Sequence, residues 1–140
     1  MAISRSLPAK FPAFLAGFKL TDGDVMQALM DEMFSAENGI TATAGGTKAA
    51  ARPLTCAKNT VSVCATAADS VLLPAPQIGR TILVANRGAA SMQVFGSGSD
   101  TINGVATGTG VAQAAGIESA YYCDGISSAG VGTWQQISGS

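Results

Sequence analysis

The run RTILVANRGAASMQVFG at residues 80–96 decides the fold class. Its apolar and β-branched residues form two short groups, near 80–86 and 91–96, and Asn86-Arg87-Gly88 between them tolerates a positive φ. Short apolar groups bounded by turn residues are typical of β-strands. The run therefore predicts two consecutive strands joined by a hairpin.

The same pattern continues through most of the chain after residue 40. It predicts further strands near 40–44, 59–65, 70–73, 110–114, 117–123 and 132–137. Gly96-Ser97-Gly98-Ser99 is predicted to be a second hairpin connection, and Leu73-Pro74-Ala75-Pro76 a turn or an edge because proline donates no ladder hydrogen bond. The fold class is therefore mainly β: a jelly-roll or Greek-key β sandwich with one short N-terminal helix, or alternatively a compact barrel.

The helix is predicted from LTDGDVMQALMDEMFSAENG at residues 20–39. Thr21 can cap a helix that starts near Asp22 and extends over about 22–36, and Asn38-Gly39 is a natural stop. Apolar residues recur at intervals of three and four, and they are Val25, Met26, Leu29, Met30, Met33 and Phe34. We interpret this stripe as the helix's core face, with an adaptable partner groove as the alternative.

Residues 1–20 differ from the remainder in having basic and aromatic residues but no acidic ones. Pro8 and Pro12 interrupt the apolar segment, so we predict a docking arm, and not a signal peptide, ahead of a single domain at 21–140. The predicted interface residues are Arg5, Lys10, Phe11, Phe14, Phe18 and Lys19, with the phenylalanines as apolar anchors and the cations facing acidic partner surface. The alternative is that the phenylalanines cover an open end of the chain's own sandwich.

The content of charged residues indicates which classes of binding partner to expect. Charged residues are 12% of the 140 residues, against about 25% in typical soluble domains. So little charge predicts that some of the surface meets other proteins. The net charge of −1 gives no long-range attraction to nucleic acid or to an anionic membrane, so neither is expected as a partner.

The sequence contains no histidine, which removes the side chain most often used for proton transfer near neutral pH. Three carboxylate pairs remain as candidate acid and base residues: Asp22 with Asp24, Asp31 with Glu32, and Asp100 with Asp124. Helix capping and solvation explain the first four. We therefore expect no enzyme activity, no catalytic residue, no metal site and no cofactor.

Cys56, Cys64 and Cys123 are an odd set without CxxC spacing. We expect reduced thiols, with a Cys56–Cys64 bridge as the alternative. Tyr121, Tyr122 and Trp134 offer a possible aromatic platform for a sugar or a peptide, although large aromatics in small β domains usually pack in the core.

Several segments between Phe18 and Trp134 carry a resemblance to a known family. They are Phe18-Lys19-Leu20-Thr21-Asp22-Gly23, Gly39-Ile40-Thr41-Ala42-Thr43-Ala44-Gly45-Gly46, Asp69-Ser70-Val71-Leu72-Leu73-Pro74, Ile82-Leu83-Val84-Ala85-Asn86, Val94-Phe95, Asp100-Thr101-Ile102-Asn103-Gly104 and Gly132-Thr133-Trp134. Together they resemble virion proteins of tailed bacteriophages, and most closely the head cement, or decoration, proteins of podophages.

The resemblance implies a jelly-roll body that binds as an oligomer, a dimer or trimer, to the outside of the major capsid protein shell. It implies assembly in the host cytoplasm and stabilisation of the head against the pressure of packaged DNA. Similar modules occur in fibres and tail-associated proteins, so a receptor- or glycan-binding module is the alternative. That alternative requires Tyr121, Tyr122 and Trp134 to lie together on an exposed surface.

Overall fold

The computed structural model describes residues 22–139 of the chain. These divide after Ser35 into two compact units, and the described part of the first unit forms one helix, α1 (Asp22–Phe34). The helix predicted near 22–36 is therefore confirmed. The predicted cap Thr21 and the predicted arm at 1–20 lie outside the described residues.

The second unit begins at Ala36 and is built from β-strands. Its ten strands within the described residues are β1 (Ala36–Thr41), β2 (Arg52–Pro53), β3 (Lys58–Val63), β4 (Ser70–Leu72), β5 (Thr81–Asn86), β6 (Met92–Phe95), β7 (Thr101–Ile102), β8 (Val111–Gln113), β9 (Glu118–Ile126) and β10 (Gly132–Ser138). One 3₁₀ turn, Lys48–Ala50, precedes β2. Seven of the eight strands predicted from sequence correspond to β3 to β6 and β8 to β10, whereas the strand predicted near 40–44 overlaps β1 only at residues 40 and 41. The two-residue strands β2 and β7 were not predicted.

The strands form two mixed sheets, of order β1-β3-β5-β9-β10-β7 and β2-β4-β6-β8. Pairing is parallel from β1 through β3 to β5 and from β2 through β4 to β6, whereas β9 is antiparallel to β5 and β8 is antiparallel to β6. From β1 to β6, successive strands therefore alternate between the two sheets. Each of the three pairs β1–β2, β3–β4 and β5–β6 adds one strand to each sheet. The mainly β class is confirmed, whereas the jelly-roll or Greek-key arrangement is not.

Both hairpin predictions are wrong. Asn86-Arg87-Gly88 leads from β5 in the larger sheet to β6 in the smaller one, and Gly96–Ser99 leads from β6 to β7 in the larger sheet. Consecutive strands pair directly only at β9 and β10 within the described residues. Turn-forming residues therefore mark where strands end here, but not which strands pair.

Asn38-Gly39 does not end the helix as predicted, because α1 already ends at Phe34. The dipeptide lies inside β1, where Glu37 is opposite Asn59 and Ile40 is opposite Val61. Two residues of β1 therefore face the single residue between Asn59 and Val61, which is a β-bulge. Gly39 has φ +77° there, and glycine reaches this conformation without the steric cost of a Cβ.

The two sheets share one apolar core. Buried residues alternate along β9, as expected for a strand with one face on a core. The core residues are Ile40, Ala42, Leu54, Val61, Cys64, Val71, Leu73, Ile82, Val84, Met92, Val94, Ile102, Tyr121, Cys123 and Trp134. Both sheets contribute to this cluster, and this shared burial holds the second unit together.

Candidate interaction surfaces

The apolar stripe of α1 is exposed. Its large side chains are 46% to 72% accessible, and they are Met26, Leu29, Met30, Met33 and Phe34. The interpretation of this stripe as a core face is therefore wrong. Helical spacing places these residues on one stripe, so together they offer an apolar surface that another molecule can cover.

The predicted arm residues lie outside the described part of the chain. They are Arg5, Lys10, Phe11, Phe14, Phe18 and Lys19. Their role in docking stays a prediction.

The predicted aromatic platform is not formed. Tyr121 and Trp134 are fully buried in the core, and only Tyr122 of the three is partly accessible. The alternation of β9 explains this, because neighbouring residues of a strand point to opposite faces of the sheet. Core packing is therefore the role that the structure gives to Tyr121 and Trp134.

Trp134 is held by the buried carboxylate of Asp100, a contact that links two of the sequence segments quoted above. The Asp100 carboxylate accepts hydrogen bonds from the Trp134 Nε1–H at 3.2 Å, the Gly132 backbone N–H at 2.7 Å and the Ser97 hydroxyl at 3.1 Å. A Cβ at Gly132 would lie 2.3 Å from the Cβ of Pro76, so this close approach requires glycine. The Asp100 carboxylate therefore has a structural role: its hydrogen bonds join the segment that precedes β7 to strand β10.

Tyr121 belongs to a second buried polar network. Its hydroxyl donates to the Gln113 side-chain oxygen at 2.8 Å and accepts from the Gln136 amide at 3.0 Å. Gln113 in turn donates to the backbone carbonyls of Val84 and Ile117. Burial holds the pKa of the Tyr121 hydroxyl well above its ordinary value, so this group stays a neutral donor that ties the two sheets together.

The exposed candidate carboxylates also have local partners. Asp31 accepts a hydrogen bond from Gln27 one turn earlier in α1, at 2.7 Å. Asp124 accepts from the Thr133 hydroxyl at 2.6 Å and from the Gln135 amide at 2.9 Å, and these bonds lower the pKa of its carboxyl. A lowered pKa keeps Asp124 ionised at neutral pH, which is opposite to the requirement for a general acid.

The three cysteines are free thiols, with Cys64 and Cys123 buried and Cys56 partly exposed. Burial raises the pKa of the Cys64 and Cys123 thiols, which disfavours the reactive thiolate. Among residues 22–139, no three Cys, Asp or Glu side chains are grouped as metal ligands would be.

An open groove of about 780 Å³ lies along the edge strand β1, a site that the sequence did not indicate. Its lining includes Glu37, Gly39 and Ile40 of β1, together with Arg52 and Asp69. The Glu37 carboxylate pairs with Arg52 at 3.0 Å. This ion pair is half exposed, so it is expected to contribute little to stability.

Asp69 closes the loop between β3 and β4 beside this groove. Its carboxylate accepts hydrogen bonds from the Thr66 hydroxyl and from the backbone N–H groups of Ala65 and Thr66, at 2.7 to 3.2 Å. The Thr66 hydroxyl is the largest cause of a lowered pKa at Asp69, followed by the backbone donor of Ala65. Asp69 is therefore a structural acceptor in the groove wall.

Comparison of the chain with family models, curated proteins and solved structures found no match. No helix in residues 22–139 is long and apolar enough to cross a membrane.

Proposed function

We propose that this chain is a non-enzymatic virion structural protein, a cement or decoration protein that binds the outside of a phage head. In this proposal its partners are the major capsid protein and further copies of itself, as a dimer or trimer. It stabilises the head by tying neighbouring shell subunits together.

The observation that carries the proposal is the exposed apolar stripe of α1. Five large apolar side chains of this helix are each at least 46% accessible. Exposed apolar surface of this kind favours association, because covering it removes it from contact with water. Methionine, which supplies three of the five, adapts its shape to a partner surface at low cost.

The described carboxylates favour a structural role over catalysis. Asp100, Asp69 and Asp124 each accept hydrogen bonds that fix a loop or a strand. The rival proposal of a glycan-binding fibre module loses its main support, because Tyr121 and Trp134 are buried.

The resemblance to cement proteins also implies a jelly-roll or Greek-key body. The structure shows the mainly β class, and the jelly-roll or Greek-key arrangement is only a proposal. Those folds pair neighbouring strands mainly antiparallel. Five strand pairs of this chain, β1·β3, β3·β5, β2·β4, β4·β6 and β7·β10, are parallel. The proposal therefore rests on the exposed surface of α1 and on the sequence resemblance, and not on shared topology.

The test is binding of the full chain to purified capsids that lack it, measured by co-sedimentation. The double substitution Met26→Ser/Met33→Ser alters α1, and Ile78→Ser/Ile137→Ser is its matched control because Ile78 and Ile137 are 67% and 60% exposed outside α1. Truncating a hot-spot residue costs about 2 kcal/mol or more, although most interface residues cost less, and about 1.4 kcal/mol corresponds to a tenfold change in affinity. We therefore expect the α1 variant to bind at least about tenfold more weakly, while the control binds normally.

Both variants change exposed side chains, so their thermal unfolding should match that of the unsubstituted protein. Equal binding by the α1 variant and the unsubstituted protein would contradict the role of α1. Failure of the unsubstituted protein to bind any capsid would contradict the proposed function itself.

A further inference from the structure

The bulge in β1 consists of an exposed Asn-Gly dipeptide, Asn38-Gly39. Asn38 and Gly39 are both exposed, and neither has a paired residue in β3. Apart from Gly39 and its two chain neighbours, no atom lies within 4 Å of the position that a Cβ of Gly39 would take. Within the described residues, the Asn38 side chain makes no hydrogen bond, so its amide is free to rotate towards the backbone.

We propose that Asn38 is a site of spontaneous deamidation driven by this geometry. The Gly39 backbone nitrogen loses its proton to hydroxide and forms a bond to Cγ of Asn38. The Cγ–Nδ2 bond then breaks, and ammonia leaves after taking a proton from water. Water opens the resulting cyclic imide at either carbonyl, which leaves an aspartyl or an isoaspartyl linkage. The reaction consumes water and needs no oxidant or other cofactor.

A second Asn-Gly dipeptide in the chain is expected to resist the same reaction. Asn103 and Gly104 have φ 51° and 72°, and the backbone N–H of Val105 donates to the carbonyl of Ile102 at 2.9 Å across them. The two residues therefore occupy the centre of a tight turn. The Asn103 side-chain oxygen also accepts the backbone N–H of Gln136 at 2.8 Å, which holds the side-chain amide against β10.

The two sites share their dipeptide sequence and their exposure, and they differ in how firmly the asparagine is held. Attack at Asn103 requires the bond to Gln136 and the turn to open first, whereas Asn38 has no such restraint. We expect Asn38 to deamidate about tenfold faster, which corresponds to about 1.4 kcal/mol in the barrier.

Deamidation of Asn38 alters the rim of the β1 groove. It adds a negative charge next to Glu37, whose carboxylate pairs with Arg52. The isoaspartyl product also inserts one extra backbone carbon into β1. An aged sample of the protein is therefore expected to differ from a fresh one in charge and in the shape of this edge.

The experiment incubates the full chain in mildly alkaline buffer and follows both dipeptides by peptide mapping and mass spectrometry. A parallel incubation in concentrated urea removes the fold, so both sites should then react at similar rates. In the native protein, the Asn38 peptide should convert about tenfold faster than the Asn103 peptide. The substitution Asn38→Gln should remove the main acidic species on isoelectric focusing, and Asn103→Gln should leave it in place.

Three results would overturn the proposal. One is that neither dipeptide reacts in the native protein on the time scale at which both react in urea. Another is that Asn103 reacts as fast as Asn38 in the native protein. The third is that the ratio of the two rates is the same in buffer and in urea, because the sequence alone would then decide it.

Discussion

Removal of the Asp100 carboxylate should destabilise the second unit strongly. In Asp100→Ala, the buried N–H groups of Gly132 and Trp134 lose their acceptor. A buried donor left without a partner costs about 1–3 kcal/mol, and hydrogen bonds to charged groups contribute about 1.5–3 kcal/mol each. Allowing for relaxation of the surrounding chain, we expect a loss of about 3–4 kcal/mol in the free energy of unfolding.

The assay is urea unfolding followed by the fluorescence of Trp134, which is the single tryptophan of the chain and is fully buried when folded. For a domain of this size, the expected loss lowers the melting temperature by about 10 °C. Asp100→Asn keeps one acceptor oxygen and should lose about half as much free energy.

Asp124→Ala is the matched control, because Asp124 also accepts two side-chain hydrogen bonds but is exposed. Its loss of stability should be much smaller than that of Asp100→Ala. Equal losses for the two alanine variants, or a loss below about 1 kcal/mol for Asp100→Ala, would refute the reasoning about buried donors.

Three further predictions concern Gly88, Asp69 and the arm at residues 1–20. Gly88→Ala should cost about 2–3 kcal/mol in urea unfolding, because its Cβ would lie 2.4 Å from the Cys64 backbone nitrogen, whereas Gly108→Ala, with nothing within 4 Å, should not destabilise. The lowered pKa of Asp69 means that its contribution to stability is present above about pH 4 and is lost as the pH falls below it, so Asp69→Asn should reduce the acid dependence of unfolding; an unchanged dependence would contradict this. Deletion of residues 2–16 should leave thermal unfolding unchanged but weaken capsid binding if they form a docking arm, and an unfolded product would place them in the core instead.

The sequence predicted the strands better than their pairing. Alternating or continuous apolar residues located β3 to β6 and β8 to β10, because side-chain periodicity is a local property. Pairing is not local: β1, β3 and β5 lie side by side although other strands separate them in the chain. Asn38-Gly39 was misassigned because the conformational freedom of glycine that ends a helix also permits a bulge.

The candidate surfaces were predicted only in part. The apolar stripe of α1 was visible in the sequence, but its spacing does not say whether the chain's own core or another molecule covers it. The role of Asp100 was missed because its donors Gly132 and Trp134 are more than thirty residues away in the chain. Tyr121 and Trp134 were assigned to the core as the preferred interpretation, and their burial confirms it.

Imaging of the assembled virion at residue resolution tests the central claim most directly. The proposal predicts density for this chain on the outer surface of the head, with Met26, Met30 and Met33 of α1 covered by a neighbouring subunit. Density for the chain in a tail fibre, or on the head with the α1 stripe facing solvent, would contradict it.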